Sequence, residues 1–543
     1  RMTVERNLNF KIADINLRVA RDGVSAEWGI FDPLFTATLE ARDVKSQGSI
    51  FTTMVGGAGQ GLAGARQAAA MGAPFVEMPA ADVRRQDGDT AAEIAELRAR
   101  LQAIEDALGA GFATDYRSTV RWRTRQASSQ VTQQLPTGGA LGLGYSVGRD
   151  YMQPPFVNIN PAYSQTAQLW MIHPLPFFRD WGPLVTMAGI RLAEKTEATQ
   201  RWEMRQQLIN KIAATMSGYW DLVFVIYNAE VQRLALESGR NLLRINEIRL
   251  RTGVGTEIDV WEAKAGVAIR ENALIRASQA IGLAQDNMAR LTRVTTLTTT
   301  RTEATDWSVR MIPRDAPTWR EFAVDEQKFT AEALEKRPDI RQAKLARERA
   351  EIRRKVARNQ RMPSLQAFGS YGITGLGPNT GRAGHSLGTF DYDNWSLGID
   401  LSFPIPNTRA RAMARQADKL VEGSDLLISQ IEDVATFEVR KGIRDLQTAR
   451  QSIGVGQVQV RAEQEKLRGE MKRFDVGMAT SQDVLDYQDR LAMGQSNLIG
   501  SIVAYNKAIV DLERARGTLL QSLRIAFDEK DRISSLEPTE TGR

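Results

Sequence analysis

Apolar residues recur at steps of three and four over two very long stretches of the chain, which predicts long amphipathic helices. The recurring positions are Leu208, Ile212, Met216, Tyr219, Val223 and Ile226 in one stretch and Val484, Tyr487, Leu491, Leu498, Ile502, Tyr505, Ile509 and Leu512 in another. This spacing is typical of a coiled-coil seam. The proline-free stretch from Met187 to Ile248 would be about 90 Å long as one helix. Asn407 to Phe474 predicts a partner of similar length, so the pattern favours a rod or tube over a globule.

Between the helical stretches the period changes from 3.6 to 2, which predicts β-strands with one apolar face. The alternating apolar positions are Trp395, Leu397, Ile399, Leu401 and Phe403 in one segment, Phe35, Ala37, Leu39 and Ala41 in another, and Leu141, Leu143, Tyr145 and Val147 in a third. About nine residues is also the length of a membrane β-strand. A half-buried strand of a soluble sheet is the alternative. Aromatic residues at the strand ends favour a membrane barrel with interfacial girdles, and these are Trp122, Tyr145, Trp170, Trp181, Trp395 and Phe403.

The chain repeats itself. Residues 251–260 and 475–484 align without gaps, and their shared residues are Gly253 with Gly477, Thr256 with Thr480, Asp259 with Asp483 and Val260 with Val484. A second gapless match pairs Ala13 with Ala343, Ala20 with Ala350 and Pro33 with Pro363. Chance among alanine-rich helices could explain the second match alone. Both matches in the same order indicate a duplication, in which each repeat is helix, strands, long helix, tight turn and long helix.

The matched turns are predicted to reverse the direction of the helices. Gly253 and Gly477 can adopt the positive φ that ends a helix, while Thr256 and Thr480 can cap the helices that follow. Helix reversal is by itself a sufficient explanation of these residues.

The repeats divide the chain into a first repeat at 1–294, a linker at 295–330, a second repeat at 331–523 and a tail at 524–543. An insertion at about 47–114 has no counterpart in the second repeat. It contains Thr90 and Glu93 at capping-box spacing, followed by Ile94, Leu97, Leu101, Ile104 and Leu108 at helical steps. Additional strands at 118–134 and 140–149 leave the number of strands per chain open.

Composition removes several classes of function. The chain has no cysteine and only two histidines, of which His173 abuts Pro174 and His385 lies in a glycine-rich loop at 375–388. Neither has the spacing of a metal or catalytic site, so no catalytic residue, metal or cofactor is predicted and an enzyme is the weakest hypothesis. A net charge of +6 spread over 543 residues does not indicate nucleic-acid binding. No apolar run approaches the length of a membrane-spanning helix. The opening Arg1-Met2 leads directly into a helical pattern, so we expect any signal peptide to be absent from this sequence.

The duplicated cassette resembles the TolC family of trimeric outer-membrane efflux and secretion channels. The resemblance rests on the duplicated G-x-x-T-x-x-D-V turn, on Arg337-Pro338-Asp339-Ile340 at the start of the second repeat, on Phe403-Pro404-Ile405 after a strand and on Phe474-Asp475-Val476-Gly477 before the turn. It covers about residues 7–46 and 115–522. It implies a mainly helical α+β fold, in which three copies form an outer-membrane β-barrel continued by a periplasmic coiled-coil α-barrel.

The resemblance also implies a function and a set of partners. A homotrimer would be the outer-membrane exit duct of a tripartite efflux pump or type I secretion system, working with a periplasmic adaptor (membrane fusion) protein, an inner-membrane pump and outer-membrane lipid. By the family pattern, the pore entrance would contain Asp483, Asp486, Asp259, Phe474 and Arg473. The adaptor would contact the tips at Gly253, Thr256, Gly477 and Thr480, and the membrane girdle would contain Trp170, Trp181, Trp395 and Phe403.

One departure from the family pattern concerns the gate. Family gates often have a basic residue just after the tip glycine, whereas this chain has Met478 and Ala479. Arg473, Arg251 or the packing of Phe474 could serve instead. The alternative function is a non-transporting coiled-coil scaffold or surface stalk, which would not explain the proline-bounded strands. The sequence leaves the cargo open among drugs, metals and proteins.

Overall fold

The computed structural model describes residues 8–47, 99, 119–153, 158–292, 295–297, 303–305, 310–527 and 533–534. Two compact units share the chain. One comprises residues 1–28, 188–358 and 409–543, and the other comprises residues 29–187 and 359–408. Each unit therefore contains segments of both predicted repeats. The repeats follow one another along the chain, whereas one unit contains the long helices and the other contains the sheet.

The first unit is built from helices. Their bounds are α1 Leu8–Trp28, α2 Ala188–Arg251, α3 Glu257–Thr292, α4 Glu326–Lys336, α5 Pro338–Asn359, α7 Thr408–Asp475 and α8 Ser481–Arg516, followed by a short helix Leu519–Ser522. The two longest, α2 and α7, have 64 and 68 residues. Their bounds agree with the predicted stretches to within three residues. No helix in the described part of the chain is long and apolar enough to cross a membrane.

The predicted heptad positions form the cores of this unit. On α2, Leu208 and Ile212 are buried against Val510 of α8 and against Leu519 and Leu520. On α8, Tyr505 and Leu512 lie in a second core with Ile443 and Ile453 of α7. The hydrophobic period thus brings together helices of both repeats.

The start of the second repeat is fixed by the buried arginine of the Arg-Pro-Asp-Ile motif. Arg337 donates to the carboxylates of Asp339 and Glu438, each at 2.6 Å, and to the carbonyl of Ala515 at 3.2 Å. These contacts join the start of α5 to α7 and to the last turn of α8, so the motif has a structural role.

The second unit is a six-stranded antiparallel sheet in the order β1-β2-β3-β4-β7-β8. The strands are β1 Leu34–Gln47, β2 Thr119–Gln134, β3 Ala140–Gln153, β4 Ala162–Pro174, β7 Ser364–Gly377 and β8 Asp393–Ser402. This arrangement answers the question of strand number that the sequence left open. Four strands come from the first repeat and two from the second.

The two faces of this sheet have opposite character. One register row reads Phe35, Val131, Leu143, Leu169, Tyr371 and Trp395 across the six strands, and every one of these side chains is exposed. The neighbouring row, which points to the other face, reads Thr36, Gln130, Gly144, Gln168, Gly372 and Asn394. The predicted alternation is therefore confirmed, and the apolar side chains of this row are not covered by any other described part of the chain.

The predicted glycine-rich loop at 375–388 is wrong in part. Strand β7 continues to Gly377, and residues Thr380–Gly388 form a helix, α6, whose first turn is capped by Asn379 accepting from the Arg382 backbone N–H at 2.9 Å. Its buried Ala383 packs against the glycines of β7. The approach is so close that a Cβ at Gly375 would lie 2.1 Å from the Ala383 carbonyl oxygen.

The linker and tail contain short strands. In the predicted linker at 295–330, β5 Thr295–Leu297 pairs with β6 Glu303–Thr305. In the tail, β9 Ala526–Phe527 pairs with β10 Ile533–Ser534. The predicted helix of the insertion, from Thr90 to Leu108, lies outside the described residues apart from position 99.

Candidate functional site

Two helix reversals in the helical unit carry most of the predicted pore and adaptor residues. At the first tip Gly253 has φ 79°, and at the second Gly477 has φ 80°. Both glycines donate to a carbonyl three residues back, at 3.1 Å to Leu250 and 3.0 Å to Phe474. The left-handed conformation is available to glycine without a steric penalty, so these residues end α2 and α7. The predicted backbone role of both glycines is confirmed.

Each tip continues into a reciprocal capping box. The Thr480 hydroxyl and backbone N–H donate to Asp483 Oδ2 at 2.7 and 2.9 Å, and the Asp483 N–H donates to the Thr480 hydroxyl at 3.2 Å. The same three bonds join Thr256 and Asp259, at 2.6, 3.0 and 3.3 Å. The duplicated sequence therefore gives duplicated local geometry, and both threonines are caps as predicted.

These bonds bias both carboxyls toward the charged form. Hydrogen bonds from the Thr480 side chain and backbone lower the pKa of Asp483, with a smaller contribution from the charge of Arg473. The hydroxyl of Thr256 likewise lowers the pKa of Asp259, with support from Ser481 and from the charge of Arg249. A hydrogen bond to a carboxylate favours its ionised state. The tips therefore hold two negative charges next to two helix N-termini, where the helix dipole also favours them.

Asp486 lies one turn further along α8 and is differently placed. It is exposed, and its Oδ1 accepts from the Gln482 side chain at 2.7 Å. Asp483 is also exposed, but one of its oxygens is committed to the cap. Of these two predicted pore-entrance residues, Asp486 is thus the one whose side chain makes no hydrogen bond to a backbone group in the described structure.

Phe474 is placed in a core of the helical unit. It is 5% exposed and packs with Leu242 of α2 and with Val484 and Leu485 of α8. The Arg249 guanidinium carbon lies 4.4 Å from its ring centroid, and Arg249 Nη1 donates to the Phe474 carbonyl at 3.1 Å. Phe474 therefore ties the tip of the second repeat to the helix of the first.

Arg473 remains within its own tip. Its guanidinium donates to Glu470 at 3.1 Å and to the Met478 carbonyl at 3.3 Å. The second bond closes the turn after Gly477, at the position where the family pattern has a basic residue. Arg473 thus stabilises the reversal within one chain.

Two contacts of buried polar residues in the helical unit were not predicted from the sequence. Asn246, 2% exposed on α2, donates to the Ser481 hydroxyl at 2.9 Å and to the Asp259 carbonyl at 3.1 Å. This amide joins both tips. A polar residue at an otherwise apolar helix position was the signal that could have revealed it.

The second contact is an ion pair between the repeats. Arg270, 3% exposed on α3, donates to Asp489 at 2.7 Å and to the Leu485 carbonyl at 3.1 Å on α8. Two helix glycines make room for it, since a Cβ at Gly239 would lie 3.2 Å from Arg270 Cδ and one at Gly266 would lie 3.1 Å from its Nη1. Isolated glycines within long helices were the available sequence signal.

The predicted girdle residues fall at different places on the sheet unit. Trp395 is 74% exposed on the apolar face, and Phe403 is exposed directly after the end of β8. Trp170 is on the polar face, where its ring lies over Gly142. Trp181 is exposed in the turn after β4, with its ring centroid 5.8 Å from that of Phe177.

The family comparison matches a segment in the second half of the chain. Residues 330–522 match the family model described as outer membrane efflux protein. The chain carries an outer membrane efflux protein domain. This domain includes α5, α7, α8 and strands β7 and β8, and therefore the second tip and the exposed strand that begins near Trp395. The predicted resemblance to the TolC family is confirmed.

Individual relatives extend the match beyond this domain. The chain is 23% identical to outer membrane efflux protein BepC of Brucella suis over 316 residues, which is 58% of this chain and 64% of the relative's length. Its fold is similar to the outer-membrane channel OprN, with a TM-score of 0.62 and 16% identity over 95% of this chain and 88% of that one. The CmeC channel of Campylobacter jejuni gives a TM-score of 0.60 and 14% identity over 95% of this chain and 84% of that one.

A third structure represents an open channel. The Neisseria gonorrhoeae MtrE outer-membrane channel in its open state gives a TM-score of 0.57 and 14% identity over 96% of this chain and 88% of that one. These likenesses confirm the predicted mainly helical fold with an antiparallel sheet. The family of the outer membrane efflux protein domain also agrees with the predicted outer-membrane location and comprises transport proteins.

Proposed function

We propose that this protein is a passive outer-membrane exit duct of a tripartite efflux pump or type I secretion system. In this role three copies would close one β-barrel and one helical tube, and cargo would pass outward from a periplasmic adaptor and an inner-membrane pump. The family of the outer membrane efflux protein domain supports this class of function.

The observation that carries the proposal is the exposed apolar face of the sheet. A lipid-facing surface requires apolar side chains on one face and closure of the sheet, because an open strand edge leaves backbone groups unsatisfied in hydrocarbon. The apolar face is present, and β1 and β8 each have one edge without a partner strand among the described residues. The missing partners are then strands of neighbouring copies.

The strand directions allow such closure. The six strands alternate in direction, so β8 of one copy and β1 of the next would meet antiparallel, as every other pair in the sheet does. Three copies of a six-stranded sheet would form a barrel of eighteen strands. Barrel diameter grows with strand number, and barrels of about 16–18 strands enclose an aqueous channel.

The helices also present surfaces that fit further copies. Large apolar side chains remain exposed along α3 and α7, among them Trp261, Ile269, Leu426, Phe437 and Val458, each more than 60% exposed. Water exposure of such stripes is costly, so contact between copies would stabilise the helical tube.

We place the periplasmic entrance at the helical tips. Asp486 and Asp483 would form acidic rings in a trimer, and Asp259, Phe474 and Arg473 would support that end of the tube. Gly253, Thr256, Gly477 and Thr480 would lie at the surface that meets the adaptor. Acidic rings select for cations in pores.

Single-channel current in planar bilayers tests the proposed function. Purified wild-type protein should produce discrete openings with a preference for cations. If the wild type inserts but does not conduct, Thr480→Ala should produce openings, because this variant removes the cap of the second tip. Failure of a folded preparation to insert would contradict the duct and favour the scaffold hypothesis.

A further inference from the structure

A basic cluster lies on the apolar face of the sheet, at the end away from the strand-to-helix connections. The strands lead from or toward the long helices of the first unit near Leu34, Pro174, Ser364 and Ser402, whereas β1 ends at Gln47 and β2 begins at Thr119. At this far end the apolar face carries Lys45, Arg121, Arg123, Arg125 and Arg149, with Asp43 as the single carboxylate among them. The basic residues on this face are therefore concentrated at one end.

The distance from the apolar band places this cluster at a membrane boundary. In the register of the sheet, apolar positions extend from the row of Leu401 to the row of Leu39, ten residues apart. At about 3.3 Å per residue this is ~33 Å along a strand, and a tilt of about 40° reduces it to ~25 Å. An apolar band of about 25 Å matches a barrel's hydrocarbon zone. Arg125 and Arg149 occupy the next row.

A groove with an apolar floor opens at this boundary. Its volume is about 330 Å³, and its lining includes Leu39, Ala127, Val147, Arg125, Arg149 and Tyr163. Glu40 also lines it, although strand alternation assigns the Glu40 side chain to the polar face. The groove therefore combines an apolar surface with two guanidinium groups on the same face.

One wall of the groove is held in place by buried hydrogen bonds. Thr380, at the start of α6, contributes to this wall. Gln165, 6% exposed, donates from Nε2 to the Thr380 carbonyl at 2.9 Å and accepts from the Tyr145 hydroxyl at 2.9 Å. These bonds fix α6 against the sheet, so the groove belongs to the ordered part of the unit.

The two arginines of the groove have unused hydrogen-bonding capacity. Arg149 lies 5.7 Å over the Tyr163 ring, and its buried Nε has no hydrogen-bond partner in the described structure. Arg125 is exposed and forms no ion pair with any described residue. Arg121 and Arg123, by contrast, both contact Asp43. Two guanidinium groups that are neighbours across β2 and β3 therefore have no carboxylate partner among the described residues.

We propose that this groove binds a phosphate-bearing lipid of the surrounding membrane. The phosphate would accept hydrogen bonds from Arg125 and Arg149, and an acyl chain would lie along Leu39, Ala127 and Val147. Guanidinium groups recognise phosphate through paired, charge-assisted hydrogen bonds. The proposal rests on the proposed function, since the apolar face contacts lipid only if the sheet forms a membrane barrel.

Native mass spectrometry of the delipidated protein in detergent tests the site. The probes are lipid A with its phosphates, lipid A without them, and inorganic phosphate. The variants are Arg125→Gln combined with Arg149→Gln, the charge-conserving Arg149→Lys, and Arg42→Gln as a matched control. Arg42 is exposed near the same end of β1 but points to the polar face.

The wild type should retain phosphorylated lipid A about tenfold more tightly than the dephosphorylated lipid, because charge-assisted hydrogen bonds are lost with the phosphates. The double variant should lose this preference, Arg149→Lys should keep part of it, and Arg42→Gln should keep all of it. Higher salt should weaken the preference. This pattern would support the site.

Three results would overturn it. These are equal retention of both lipids by the wild type, an unchanged preference in the double variant, or binding of inorganic phosphate as tight as that of the lipid. If the wild type nevertheless conducts in planar bilayers, only the lipid site is wrong. If it does not insert at all, the proposed function fails and the lipid site with it.

Discussion

At the residue scale, two aspartates three positions apart on α8 form different hydrogen bonds. Asp483 closes a capping box with Thr480, whereas the Asp486 side chain, among the described residues, accepts a hydrogen bond from the side chain of Gln482. The sequence predicted the caps, because a cap depends on residues three positions apart. It could not predict the bond between Arg270 and Asp489, which joins residues 219 positions apart and depends on how the helices pack.

Changing Asp486 should affect selectivity without loosening the tip. Asp486→Asn should lower the cation preference of the open channel severalfold, because an interaction of about 1 kcal/mol with a passing cation is lost. Reversal potentials in a salt gradient measure this preference. Asp483→Asn is the contrasting variant, since it should also destabilise the second tip. Unchanged selectivity in Asp486→Asn would remove this residue from the pore.

Acid should weaken both tips. The pKa values of Asp259 and Asp483 are lowered in the folded protein, so their stabilising effect is complete above the ordinary pKa and is lost as pH falls through the lowered values. Amide hydrogen exchange at residues 251–260 and 475–484, corrected for intrinsic rates, should therefore rise below about pH 4.

The duplication supplies a matched control for this experiment. Thr480→Ala removes the second cap at a cost of about 1 kcal/mol and should reduce the pH dependence of the second tip only. The first tip, capped by Thr256 and Asp259, should respond as in the wild type. Equal pH dependence of both tips in this variant would contradict the role of the capping boxes.

At the element scale, the long helices and the alternating strands were predictable because their hydrophobic periods are local. Helix α6 was not, because its sequence from Thr380 to Gly388 contains three glycines, which usually indicate a loop. Its stability comes from the Asn379 cap and from contact with Gln165 and the glycines of β7. The position of Trp170 was also missed, since one aromatic residue does not reveal which face of a strand it occupies.

A charge on the apolar face of β8 should prevent membrane insertion. Leu397 is 78% exposed on that face, and Leu397→Arg should cost about 2–4 kcal/mol if the residue contacts the centre of the bilayer. The adjacent Ser396→Arg points to the polar face and should be tolerated apart from the loss of one hydrogen bond to Ser370. Heat-modifiable mobility after outer-membrane fractionation measures insertion. Equal insertion of both variants would show that this face does not contact lipid.

At the scale of the whole molecule, the sequence predicts two repeats but not that they contribute different numbers of strands. The first repeat contributes four strands and the second two, because β2 and β3 form an additional hairpin around the Pro136–Gly139 turn. Strand count was open because weak alternation at 118–134 does not distinguish a strand from an irregular polar segment. The pairing of β4 with β7 joins residues about two hundred positions apart and is likewise a property of the tertiary fold.

The closure of the sheet between copies is the central claim, and disulfide cross-linking tests it most directly. The chain has no cysteine, so introduced pairs are the only thiols present. One cysteine replaces Ala37 on β1, and the other replaces in turn Trp395, Leu397 and Ile399 on β8, which samples the register. We predict that at least one pair yields a covalent trimer on oxidation in outer membranes, and that single-cysteine controls do not. Exclusively monomeric protein for every pair, in membranes that contain the folded protein, would contradict the account.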